Sequence, residues 1–167
     1  MVSEPLCRSV KRSYVAMTVF TPQDSDFEAR IRESFSKQQV METFGARITR
    51  VAPGEVDIEL PFRMELTQQH GFLHAGVVTA IVDSACGYAA YTLMAADSEI
   101  LTIEYKVNLL SPARGERIIA RGRVTKPGRT VTVCAGDVFA LVEGKEKLIA
   151  TMLATMISLR DRPDLSR

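Results

Sequence analysis

The chain has 167 residues, an ordinary share of apolar and charged residues for a globular protein, and a formal net charge of +1. That length makes one domain with room for a real core, and the near-neutral charge gives no support to nucleic-acid binding, which brings a basic face. Cys7, Cys86 and Cys134 are odd in number and widely spaced. They fit neither a disulfide framework nor a zinc site, and they point to a reducing, cytoplasmic setting. Arg8, Lys11 and Arg12 precede an apolar run, Tyr14 to Phe20, that is too short and too interrupted for a secretory leader. Residues 1–22 are read as an N-terminal extension, with Met17 as an alternative start and 1–16 disordered; residues 23–160 are read as the single domain and 161–167 as a polar tail. Residues 24–41 predict an extra N-terminal amphipathic helix. Asp24 or Ser25 is placed to cap it, and Phe27, Ile31, Phe35 and Val40 recur at helical spacing. Ala46, Ile48 and Val51 then lead into a Pro53-Gly54 turn. Val56, Ile58, Leu60 and Phe62 follow, alternating with Asp57 and Glu59, as in a hairpin of half-buried strands.

The stretch from Gln68 to Ala96 carries both histidines, His70 and His74, and then a run from Val77 to Ala96 that is apolar on nearly every face of a helix. A helix hydrophobic all round is buried, and this one, with Asp83 and many small residues, reads as a core helix and not as a membrane span. Asp83 is its one charged side chain at neutral pH before Asp97. A lone carboxylate there must be paired, desolvated for chemistry, or exposed at an interface.

Four strands are predicted after the helix. Leu101, Ile103, Tyr105, Val107 and Leu109 alternate with polar residues in the first. Ile118, Ala120, Gly122 and Val124 face one way in the second, with Arg117, Arg121 and Arg123 on the other side. The third follows the Lys126-Pro127-Gly128-Arg129 turn, where Val131, Val133, Ala135, Phe139 and Leu141 alternate and Asp137 breaks the pattern. The fourth, Leu148 to Leu159, is apolar on both faces, as for a strand covered on both sides. The fold class is therefore α+β: an antiparallel sheet wrapped around one long central helix. One helix covers one sheet face only, so the doubly apolar last strand predicts at least a homodimer.

His70-Gly71-x-x-His74-Ala75-Gly76, with Asp83 seven residues after Gly76, resembles the signature of hotdog-fold acyl-CoA thioesterases, and most closely the PaaI-type (phenylacetyl-CoA thioesterase-like) family. Glu104 to Pro112 and the Lys126-Pro127-Gly128-Arg129-Thr130 turn are similar to that family too, so that the resemblance spans roughly residues 40–159. The resemblance implies hydrolysis of an acyl-CoA to free acid and CoA, with no metal and no cofactor beyond the CoA of the substrate. It also implies a homodimer, or a dimer of dimers, with the site at the subunit interface. It assigns Asp83 as base or nucleophile, His74 to the helix mouth, and the Ala75 and Gly76 amides as oxyanion donors. Gln68 takes the upstream amide position and Thr102 the hydroxyl position on the following strand. Ala75 and Gln68 stand where many relatives have Gly and Asn, which leaves the amide chemistry intact and bears on acyl specificity.

The residues themselves add three points. A helix N-terminus supplies free N–H groups for a developing oxyanion, and Gly71 and Gly76 permit close backbone approach. Nine residues at 100° each place His74 and Asp83 on opposite faces, about 13 Å apart along a helix axis. They therefore cannot serve one site within one chain, and Asp83 is expected to meet the loop of a partner. Lys126 and Arg129 are candidates for the CoA phosphates, because a turn presents backbone amides and a cation together. Cys86 reads as a buried inert thiol. The rival reading is a non-catalytic acyl-CoA-binding sensor, which keeps the pocket and has no need of Asp83.

Overall fold

The structure is a computed structural model that describes residues 20–160. Two short helices, α1 (Phe27–Ser36) and α2 (Gln39–Phe44), precede a hairpin of β1 (Arg47–Ala52) and β2 (Glu55–Pro61). A 3-10 turn (Met64–Leu66) leads to the long helix α3 (Ala75–Tyr91). Four strands complete the chain: β3 (Ser98–Leu109), β4 (Arg117–Lys126), β5 (Val131–Val142) and β6 (Lys145–Arg160). They form one antiparallel sheet in the order β1-β2-β4-β5-β6-β3, and α3 lies across β2 to β6. The expected element order is the observed one. No helix among the described residues is long and apolar enough to cross a membrane. The alternative start at Met17, the disordered 1–16 segment and the 161–167 tail lie outside the described residues. The core begins at Phe20, whose ring packs against Gly54 in the β1–β2 turn.

The single helix expected over 24–41 is two helices. It breaks at Lys37-Gln38, and its start is Phe27, because the Asp24 carboxylate accepts the Asp26 N–H at 2.9 Å and so holds a turn instead of capping the helix. The break rotates the second piece, so that Met41 is buried and Val40 is exposed. The long helix ends at Tyr91 and not at Ala96. The Arg30 guanidinium donates to the carbonyls of Tyr91, Met94 and Ala95 at 2.9–3.3 Å, while Thr92 Oγ1 donates to Ala89 O. A cation on the last carbonyls suits the negative end of the helix dipole.

Two strands present other faces than expected. In β5 the buried residues are Thr132, Cys134, Gly136, Val138 and Ala140; Val131, Val133, Ala135, Asp137, Phe139 and Leu141 form the outer face. The core side carries the small residues because α3 comes very close there. A Cβ on Gly122 would lie 2.3 Å from the Ala85 carbonyl, and one on its cross-strand neighbour Gly136 would lie 2.5 Å from Val82 Cγ2. In β3 a bulge at Ile103 interrupts the alternation: Thr102 pairs with Met156 and Glu104 with Thr155. The residues facing α3 are thus Thr102, Tyr105, Val107 and Leu109, not an unbroken odd-numbered set. A bulge re-aims side chains around it, and this one follows Thr102 directly.

In β6, Ala150, Met152, Ala154 and Met156 are buried under α3, while Leu148 and Leu153 stand exposed on the other face. β3 is an edge strand of twelve residues, with Leu101, Ile103, Tyr105 and Leu109 each about half exposed. A long apolar edge is a template for pairing with another chain.

Candidate active site

The mouth of α3 is built by its own preceding loop. Thr67 and Leu73 form a bridge, the Gln68 N–H donates to Phe72 O (2.8 Å), and the Gly71 N–H donates to Gln68 O (3.0 Å). Gly71 closes this turn at φ +76°, a left-handed conformation that only glycine adopts without strain. His74 is the N-cap: its Nδ1 accepts the Gly76 N–H at 2.9 Å. Nδ1 is therefore unprotonated, and on the neutral ring the proton sits at Nε2. The Val77 and Val78 amides both go to His74 O. Of the first-turn amides, that leaves only the Ala75 N–H without an acceptor among the described residues. Of the two amides expected as oxyanion donors, that of Gly76 is engaged by the histidine cap and that of Ala75 is open. The Gln68 side chain is likewise engaged, its Oε1 accepting the His70 N–H. Gln68, Phe72, Ala75, Val78, Leu109 and Pro112 border a cleft of about 420 Å³.

Asp83 sits further along α3, half-buried. Thr102 Oγ1 donates to its Oδ1 at 2.9 Å, reaching across from the edge strand. Burial pushes the Asp83 carboxyl above the ordinary carboxylate range, and the Thr102 hydrogen bond pulls against that rise. The second carboxylate oxygen has no protein donor among the described residues. Asp83 and Thr102 share a cleft of about 160 Å³ with Ser34, Gln38, Ser84, Tyr88 and Glu99. Three hydrogen bonds tie this lining together. Gln38 Nε2 donates to the Tyr88 hydroxyl (3.0 Å), Ser84 Oγ donates to Gln38 Oε1 (3.3 Å), and the Ser34 and Tyr88 hydroxyls are 3.3 Å apart. Sequence reasoning missed this polar set. Its signal was a polar residue, Gln38, at the interruption of the helical pattern, and nothing in the motif marks it.

The two clefts have no lining residue in common. Within one chain the structure brings Asp83 to Thr102, and Gln68 to Ala75, but does not bring the pairs together. Eight residues of helix separate Ala75 from Asp83, about 12 Å of rise. The β4–β5 turn lies apart from both. Arg129 lines a cavity at the opposite, C-terminal end of α3; Lys126 is exposed and lines none of the three. Cys86 and Cys134 are free, fully buried thiols. Burial pushes both thiols up, Cys134 to about 12, so neither is a thiolate nucleophile. Among the described residues no three His, Cys, Asp or Glu side chains converge as metal ligands would.

Residues 70–147 match the family described as the thioesterase superfamily. The crystal structure of a thioesterase family protein from Silicibacter pomeroyi is 51% identical with a TM-score of 0.79, over 80% of this chain and 98% of that one. Human acyl-coenzyme A thioesterase 13 is 28% identical over 116 residues, which are 68% of this chain and 82% of its own length. The Escherichia coli PaaI protein from the phenylacetic acid degradation operon is 13% identical and shares the fold, with a TM-score of 0.73 over 82% of this chain and 96% of its own. A six-stranded antiparallel sheet packed on one long helix, with an extra helical segment in front, is common ground with these structures. The chain belongs to the thioesterase superfamily and is a hotdog-fold thioester hydrolase.

Proposed function

We propose that the chain hydrolyses acyl-CoA at a site completed by a second copy of itself, the Asp83–Thr102 pair of one subunit facing the Ala75 amide of the other. The observation that carries this reading is the separation of the two clefts within one chain, each holding half of what the reaction needs. The exposed apolar edge of β3 supports it. Glu99, Ile100 and Thr102 of that edge strand line the Asp83 cleft, so a copy docked along β3 would stand beside the carboxylate. The similarity to human acyl-coenzyme A thioesterase 13 supports CoA as the thiol.

In this reading the Ala75 N–H, at the positive end of α3, receives the charge that develops on the thioester oxygen. Thr102 fixes one Asp83 oxygen, and the other takes a proton from water or attacks the carbonyl itself. Water supplies the oxygen of the product acid, the C–S bond breaks, and the CoA thiolate is protonated as it leaves. His74 holds the helix start in shape and touches no reacting atom. No step calls for a metal or a redox cofactor. The two free buried cysteines fit a reducing compartment such as the cytoplasm.

Ala75→Pro tests the oxyanion role. Proline is favoured at the first helical position, where its missing N–H costs no intrahelical bond, and His74 already has the extended ψ of 138° that a following proline requires. The variant is expected to fold normally and to lose about 10²–10³-fold in kcat/KM in a thiol-release assay over short, medium, long and aryl acyl-CoAs. Unchanged turnover would remove Ala75 from the mechanism. Binding of acyl-CoA without any thiol release by the native chain would favour the sensor reading.

Thr102→Val tests the carboxylate. The lost hydrogen bond removes the one interaction that lowers the Asp83 pKa against burial. The base form of Asp83 then persists only at higher pH, so the acidic limb of the kcat/KM profile should move up. A shift down, or none, would detach that limb from Asp83.

A further inference from the structure

We propose that Gly87 and Gln38 set the size of the acyl group, Gly87 by clearing the floor of a pocket beside Asp83 and Gln38 by walling it on the side of α1 and α2. With acyl-CoA as the substrate, on which this assignment rests, the thioester carbonyl lies at Asp83, and one of its two arms must enter the Asp83 cleft. That cleft is about 160 Å³, on the scale of a cavity that holds one benzene ring, ~150 Å³. Its charged lining residues are two carboxylates, Asp83 and Glu99, with no cation among them. Such a lining repels the phosphates of CoA, so the acyl arm enters and the CoA arm leaves.

Gly87 lies one helical turn after Asp83, on the same face of α3, and lines the same cleft. A Cβ at Gly87 would meet no atom within 4 Å. The other glycines on or against α3 are held by crowding: a Cβ on Gly76 would lie 3.1 Å from His74 Nδ1, and those on Gly122 and Gly136 would come closer still to their neighbours. Glycine weakens a helix interior relative to alanine, and no contact within the chain calls for it at 87. The open space fits a substrate group lying across the helix. Gln38 faces the same space from the α1–α2 break and is fixed at both ends. Its carboxamide bridges Ser84 and Tyr88, one helical turn apart on α3, at 3.3 and 3.0 Å. Its backbone N–H donates to Phe35 O, and its carbonyl accepts the Met41 and Glu42 N–H groups. The Phe35 ring meets the Tyr88 ring edge-on at 5.7 Å, and Ile31 and Met41 are buried on either side of the break. The glutamine is therefore a rigid wall and not a side chain free to swing aside.

Thiol release by the whole protein from acetyl-, benzoyl- and octanoyl-CoA tests the proposal, with melting curves and native mass measured on the same samples. In Gly87→Ala the ratio of kcat/KM for benzoyl-CoA to that for acetyl-CoA should fall about tenfold or more, the scale on which one methyl group is read in a pocket. The same variant should melt higher than the native protein, because alanine is the better helix former and meets no neighbour. Selectivity lost while stability is gained is a combination that a merely structural glycine does not produce. In Gln38→Ala the ratio of kcat/KM for octanoyl-CoA to that for acetyl-CoA should rise about tenfold as the wall is removed. Gln38→Asn, shorter by one methylene, should move that ratio the same way by a smaller step. Unchanged ratios in these variants of an active protein, or a smaller native mass for Gly87→Ala than for the native chain, would overturn the pocket and leave the acyl-CoA reading standing. No thiol release by the native protein from any of the three esters would overturn both.

Discussion

Asp83→Asn is expected to cut thiol release from acyl-CoA by about 10²–10⁴-fold, the usual loss for a positioned acid–base group, and to raise thermal stability at neutral pH. Asparagine keeps the shape and keeps an oxygen that can accept the Thr102 hydroxyl, so the hydrogen bond at Oδ1 survives. What disappears is the charge. Burial is the larger influence on this carboxyl and pushes its pKa above that of the unfolded chain. A carboxyl raised on folding favours the folded state below the unfolded pKa, and that contribution is lost as pH rises through the folded pKa. At neutral pH the native protein therefore holds an ionised carboxylate in a setting that penalises it, and the variant does not. The stability gap should be present at neutral pH and should close in acid, where the native side chain is protonated as well. Melting curves across that range, paired with the thiol assay, separate the two effects. Loss of activity with lower neutral-pH stability would mean that Asp83 is a structural carboxylate.

Gly122→Ala is expected to cost about 3 kcal/mol or more of folding stability, the upper end of overpacking penalties. The new methyl would lie 2.3 Å from the Ala85 carbonyl carbon and oxygen and 2.5 Å from the Cys86 nitrogen, all of them backbone atoms. No side-chain rotation relieves that contact; α3 must lift off β4, and with it the segment that carries Asp83. The melting temperature should fall by roughly 10 °C for a domain of this size. Gly136→Ala, its cross-strand neighbour, should cost less, because its methyl would meet the tips of Val82 and Cys86, at 2.5 and 2.8 Å, which can shift. Equal costs at the two sites would show that helix-to-sheet distance is not what fixes glycine at 122.

The same close approach explains which parts of the fold were legible in the sequence. Alternation of large apolar residues located β2 and β4 correctly, since Val56, Ile58, Leu60, Ile118, Ala120 and Val124 are the buried ones. It failed in β5, where the core face is Thr132, Cys134, Gly136, Val138 and Ala140, small where α3 comes closest at Gly136, and Val131, Val133 and Phe139 lie on the outer face. In β3 one inserted residue, Ile103, reversed the face of everything after it, and composition does not announce a bulge. At the site, Asp83 was visible as a charge in an apolar helix, and Thr102 was singled out for its hydroxyl; that this hydroxyl bonds to Asp83 is seen only in the fold. The motif marked the Gly76 amide as a donor, and it gave no sign of the His74 cap that this amide meets in the fold. Gln38, Ser34 and Tyr88 were invisible as a group, because a helix break and tertiary packing bring them together. The doubly apolar β6 remains informative, for Leu148 and Leu153 are as exposed in one chain as that reading implied.

Mixing two inactive variants tests the shared site most directly. Asp83→Asn chains keep an intact Ala75 amide, and Ala75→Pro chains keep an intact Asp83. In a verified heterodimer, one of the two interfacial sites then combines the sound halves and the other combines both lesions. A site shared across subunits predicts recovery of about half the native activity per heterodimer; heterodimers as inactive as either parent would contradict it.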